Sequence, residues 1–170
     1  MRRFRSFIAA VVMLPGVAFA GDQYLDPTGF AVSGYDVVAY FDLEQSPVGQ
    51  SQPAAVPGLS SITAEYNGAM FAFATEENRD RFLADPAAYV PQYDGHCAYG
   101  VSKGGKVPGN PNLWRIVDDK LYLNITKNVV GFWEEDIPAN INLAETNWVD
   151  IEPTPASDRA IPQFTSDAPN

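Results

Sequence analysis

The dipeptide Asn67-Gly68 sits between two short apolar-rich runs, Ile62–Tyr66 and Met70–Ala74. Asn-Gly readily takes the positive φ angles of a tight two-residue turn, so the two runs read as antiparallel strands of a hairpin. Thr75 follows at once, then Glu76 and Glu77. A threonine side chain accepts from the first N–H groups of a helix, and acids suit the positive end of its dipole, so a helix is expected from here. Phe82 and Leu83 supply its apolar face, and Asp85-Pro86 interrupts it. A hairpin feeding directly into a helix makes the expected fold α+β: a small antiparallel sheet packed against helices in a single domain.

The rest of the chain supplies the remaining elements. Asp36 precedes Val37–Phe41, an apolar run that reads as a capped short helix or as a strand. Glu44–Ser60 is rich in Pro, Gly, Ser and Gln and reads as an exposed loop. A second hairpin is expected from Leu113–Val117 and Leu121–Ile125, turning at Asp118-Asp119-Lys120. Val129, Phe132 and Trp133 mark a short helix. A last helix starts near Asp136 with Pro138 in its first turn; Ile137, Ile141, Ala144 and Trp148 share one face. Residues 21–33 form an N-terminal loop, and 152–170, with four prolines, read as a disordered tail. No internal repeat is legible.

The first twenty residues read as a secretory signal peptide. Arg2, Arg3 and Arg5 form a basic start, Phe7–Leu14 an apolar stretch too short to span a bilayer, and Ala18-Phe19-Ala20 a small-x-small cleavage pattern. The surroundings of Arg2-Arg3 fit a twin-arginine signal poorly, so general export to a periplasm or the exterior is expected. Removal of the three arginines leaves 8 basic against 21 acidic residues, a formal charge of −13 over 150 residues. Such a field disfavours nucleic acid and anionic membrane, and no stable membrane insertion is expected after cleavage. A metal ion or a cationic periplasmic partner protein suits it better.

Chemistry, if there is any, centres on Tyr93–Gly100, which holds the only histidine, His96, beside the only cysteine, Cys97. A single cysteine forms no internal disulfide; in an oxidising compartment it is buried, reactive, or paired with another chain. A protonated histidine nearby would favour the thiolate, the reactive and metal-binding form. The bland alternative is a small cysteine packed as a hydrophobe, with His96 bonded to backbone. Met70 is the remaining soft donor, though its strand position favours a core role. Phosphate-cradling, HExxH and GxSxG motifs are absent, Ser102–Lys106 reads as a solvated loop, and Asn124-Ile125-Thr126 is a formal glycosylation sequon.

Three separated segments, Gly34–Phe41, Tyr66–Phe73 and Asn78–Tyr93, resemble the YHS domain, in particular its exported (seleno)protein branch. Gly95–Gly100, apart from His96, and Leu121–Asn124 match further motifs of that branch, so that 34–151 reads as a YHS-like domain. The resemblance implies metal handling in short YHS domains through cysteines after the first hairpin, but Phe73-Ala74-Thr75 contains none. Relatives with selenocysteine at the position of Cys97 imply redox or soft-metal chemistry there. The expected function is therefore soft-metal handling, most plausibly of copper(I), with Cys97 as main ligand and His96 and Met70 as further candidates. The rivals are a redox thiol at Cys97 that needs an external resolving thiol, and a non-catalytic binding module.

Overall fold

The computed structural model describes residues 21–170; the export segment expected over residues 1–20 lies outside them. The first hairpin pairs β1 (Leu59–Tyr66) with β2 (Ala69–Phe73). Asn67 and Gly68 make its turn at φ 49° and 73°. Helix α1 (Glu76–Ala84) follows, with Thr75 Oγ1 accepting from the Asn78 N–H at 3.1 Å. A five-residue helix, α2 (Ala98–Ser102), stands inside the glycine-rich stretch. The second hairpin joins β3 (Asn110–Val117) to β4 (Lys120–Asn124) through Asp118 and Asp119 at φ 49° and 58°. Helix α3 (Lys127–Glu134) begins after Thr126, whose Oγ1 accepts from Val129 N–H at 3.3 Å. Helix α4 (Ile137–Ile151) is capped by Asp136.

These elements form a single α+β domain, but the one expected sheet is two separate two-stranded sheets. They are copies of one unit. Shifting β1, β2 and the start of α1 by 51 positions lands on β3, β4 and the start of α3. Both hairpins carry the same irregularity, between Leu59 and Thr63 in one and between Asn110 and Trp114 in the other. Both helices start from a threonine cap at matching positions. Phe82 packs on Phe71 at 5.0 Å between ring centroids, and their counterparts Trp133 and Tyr122 pack at 5.7 Å.

The equivalence extends upstream with a different shift. Val32, Ser33 and Gly34 run through positive φ, as do Tyr93, Asp94 and Gly95. The Gly34 carbonyl accepts from Gly58 N–H at 3.0 Å, and the Gly95 carbonyl from Gly109 N–H at 3.0 Å. Asp36 N–H donates to Val56 O at 2.9 Å; Cys97 N–H donates to Val107 O at 2.8 Å. Each unit is therefore a left-handed triplet, a short helical turn, a hairpin and a capped helix. The first short turn is the 3₁₀ segment Ala39–Asp42, the helical one of the two readings of the Val37–Phe41 run.

The units share a core. Trp114, Leu121 and Leu123 of the second hairpin pack into the cluster of Val37, Phe71 and Phe73, while Tyr122, on the other face of β4, packs with Trp133 and Ala144. β4 is thus covered on both faces, which explains its near-continuous apolar sequence. Ile137, Ile141, Ala144 and Trp148 all join that second cluster, as their helical spacing requires.

Two loop expectations need correction. Part of the 44–60 loop is a strap on β3: Gln45 Oε1 accepts from Ile116 N–H at 2.6 Å, and Pro53 O accepts from the Trp114 indole at 2.9 Å. Residues 152–170, expected to be disordered, lie against the body instead. Ile161 and Ala168 are buried, Tyr35 hydrogen-bonds Asp167, and Asn170 pairs through its backbone with Gly58 and Ser60 at 2.9 and 2.7 Å. The tail contributes backbone groups more than apolar area, so composition alone reads as disorder.

Candidate functional site around Cys97 and His96

Cys97 is the residue before α2, and its Sγ accepts from the Gly100 N–H at 3.4 Å. The thiol in turn donates to Asn124 Oδ1 at 3.4 Å, the same oxygen that accepts from the Tyr99 N–H at 3.1 Å. Cys97 has no exposed surface, and burial pushes its thiol above the ordinary value despite the surrounding N–H groups. Burial thus favours the protonated thiol over the thiolate, the reactive and metal-binding form.

The corresponding residue of the first unit explains the arrangement. Asp36 is also fully buried. One carboxylate oxygen accepts from Val38 N–H at 2.9 Å and Ala39 N–H at 3.2 Å. The other accepts from Ala74 N–H at 2.8 Å and Asn78 Nδ2 at 2.7 Å, tying the turn to the start of α1. Cys97 fills the equivalent place more weakly, capping the short helix and reaching the end of its own hairpin through Asn124. This contact also closes the sequon, because the Asn124 side chain is committed inside the fold.

His96 is likewise without exposed surface. Its Nδ1 lies 2.8 Å from the Tyr93 carbonyl, and its Nε2 lies 3.1 Å from the Ser157 N–H. A carbonyl needs a donor and an N–H needs an acceptor, so the ring is the neutral Nδ1–H tautomer with both nitrogens used. Desolvation lowers its pKa to about 4, with nearby Lys106 acting in the same direction. His96 therefore supplies no positive charge to activate Cys97.

The three proposed ligands do not converge. Met70 belongs to β2 of the first hairpin and is 37% exposed, whereas Cys97 and His96 are enclosed beside the second. Among the described residues no group of three or more His, Cys, Asp or Glu side chains stands together to hold a metal ion. Lys106, from the loop read as solvated, spans instead to the carbonyls of Glu152 and Thr154 at 2.9 and 2.6 Å. Sequence reading missed Asn124 and Ser157 as neighbours of this centre. Only the tail's fold-back and the hairpin's register bring them there.

Among the described residues no helix is long and apolar enough to cross a membrane. In comparisons with known proteins, no family model, no curated protein and no solved structure matches this chain.

Proposed function

We propose that this chain is an exported, YHS-like binding module without catalytic chemistry, in which Cys97 and His96 hold the fold and recognition falls to the acidic surface. The observation that carries the reading is the equivalence of Cys97 with Asp36. The position is a helix cap in both units, filled once by a carboxylate that touches no solvent and once by a thiol that touches none. A partner with a basic surface suits a processed chain of formal charge −13. Copper(I) handling and thiol redox both require Cys97 to be reachable and deprotonated near neutral pH.

Alkylation of Cys97 across pH, with and without copper(I), tests this directly. The expected result is no labelling until the protein unfolds. Rapid labelling of the folded protein near pH 7 that copper(I) leaves unchanged would replace the reading with the redox thiol. Rapid labelling that copper(I) blocks would replace it with the metal site.

A further inference from the structure

Among the described residues, one enclosed carboxylate oxygen without a hydrogen-bond donor, Asp94 Oδ2, lies where the expected processed chain would begin. Gly21 N–H donates to Glu152 Oε1 at 3.3 Å. A Cβ built on Gly21 would fall 2.6 Å from Asp94 Oδ2 and 2.7 Å from the Glu152 carbonyl oxygen, so no larger residue fits there without displacing its neighbours. Asp94 Oδ2 is fully enclosed and has no hydrogen-bond partner among the described residues, while Oδ1 accepts from Gln23 Nε2 at 2.6 Å. Asp94 sits in the left-handed triplet of the second unit, so its backbone is fixed by the fold. Burial and the neighbouring Glu152 and Asp22 raise the Asp94 pKa to about 6, and Lys106 and Gln23 offset this only in part. Lys106 directs its Nζ at backbone carbonyls instead. An enclosed carboxylate oxygen with no donor is a costly arrangement unless a cation arrives.

We propose that hydrolysis of the Ala20–Gly21 bond completes this site, the released Gly21 α-ammonium forming an ion pair with Glu152 and Asp94 that pins the new N-terminus to the end of α4. Water adds across the peptide bond, Ala20 leaves as a carboxylate with the signal segment, and the Gly21 amine takes up a proton. The single N–H of the precursor becomes three donors on a positive centre. Glu152 already accepts one, and Asp94 Oδ2 is the open acceptor beside it. The fold then senses its own processing: Lys106 already lies near Asp22, Asp94 and Glu152, and the cation that can reach Asp94 Oδ2 arrives only when the bond has been cut at this position. The glycine requirement explains why residue 21 follows the Ala18-Phe19-Ala20 pattern as the one residue that can enter the site.

The proposal rests on the export reading, and its test separates the two. The full-length precursor is expressed in an exporting bacterial host and the processed product purified. Its α-amino titration is followed by the Gly21 carbon shifts after glycine labelling. An amine held by two carboxylates is expected to titrate about one unit above the ordinary range of about 7.7–8.0. Glu152→Gln and Asp94→Asn are each expected to bring it back toward that range. A precursor with Ala-Ser inserted between Ala20 and Gly21 keeps every acidic residue yet moves the ammonium away. It is expected to melt about 2–4 °C lower at pH 7. An ordinary α-amino pKa in wild type, or an unchanged melting temperature in the insertion variant, overturns the ion pair. A full-length mass in a cytoplasmic fraction of the natural host overturns the export reading, whereas a processed chain that starts at a residue other than Gly21 overturns the ion pair.

Discussion

The two halves of this molecule solve the same folding problem with different residues. In the first, a buried carboxylate, Asp36, gathers four donors from two elements. In the second, Cys97 and Asn124 divide that work between a thiol and an amide. The first half packs phenylalanine on phenylalanine; the second packs tyrosine on tryptophan. The backbone specification survives nearly complete while the side chains turn over. What the duplicated unit demands is therefore a cap at one position, an aromatic plug at another and a positive-φ triplet before both, not particular residues.

The plugs give the largest test of that equivalence. Phe82→Ala and Trp133→Ala should each cost about 3–5 kcal/mol by urea unfolding, because each empties the centre of its cluster. Since Trp114, Leu121 and Leu123 cross into the first cluster, both variants should still unfold in one transition. Two resolved transitions would mean that the halves are independent and the shared core is weak.

The caps come next. Asp36→Ala strands four donors and should cost about 3 kcal/mol, whereas Cys97→Ser, which keeps a small acceptor in place, should cost about 1 kcal/mol. A larger loss at Cys97 than at Asp36 would break the ranking of the two sites. A Cys97→Ser protein that keeps its fold but loses all partner binding would show that the thiol does more than cap.

Acid sharpens the contrast further, because only the second half contains a histidine. His96 has a folded pKa of about 4 against an ordinary 6.5. The unfolded chain binds that proton first, so this contribution is intact above pH 6.5 and is lost as pH falls toward 4. Asp94 acts with the opposite sign: its folded pKa of about 6 lies above the ordinary 3.8, so its contribution is present below 3.8 and disappears as pH rises through 6. Melting curves of wild type and His96→Gln between pH 7 and 4 separate the two. The variant should lose less stability across the window, and parallel curves would show that His96 is already solvated.

The smallest expected effect is the most symmetric. Thr75→Ala and Thr126→Ala remove the same cap from corresponding helices and should each cost about 1 kcal/mol by urea unfolding. Values differing by more than the cap itself is worth would show that the helices are held by different means.

The local signals in the sequence were strong: Asn67-Gly68, Thr75 and the spacing of Ile137, Ile141, Ala144 and Trp148 each mark an element that is present. The duplication was not legible for two reasons. The equivalent residues are mostly different, the main exceptions being Gly34 with Gly95, Val56-Pro57-Gly58 with Val107-Pro108-Gly109, Thr75 with Thr126 and Asp85 with Asp136. The shift between copies also changes, from 61 positions at Gly34 and Gly95 to 51 at Gly58 and Gly109, because the loop between triplet and hairpin is shorter in the second unit. Asp36 was readable as a cap, but its reach to Asn78 depends on tertiary placement. Helix α2 was hidden by its length and its glycine, and the roles of His96 and Cys97 by partners distant in sequence.

The backbone pairing of Asn170 with Gly58 and Ser60 has a consequence for the molecule among its copies. A two-stranded sheet has an open margin, and exposed margins of this kind recruit strands from other molecules into aggregates. Here a segment without regular structure supplies two backbone hydrogen bonds, with Gly58 and Ser60, so the margin is covered from within the chain where β1 begins. Losing the last few residues of a stretch that looks expendable by composition is therefore expected to bare the start of that edge to other molecules rather than merely shorten a tail.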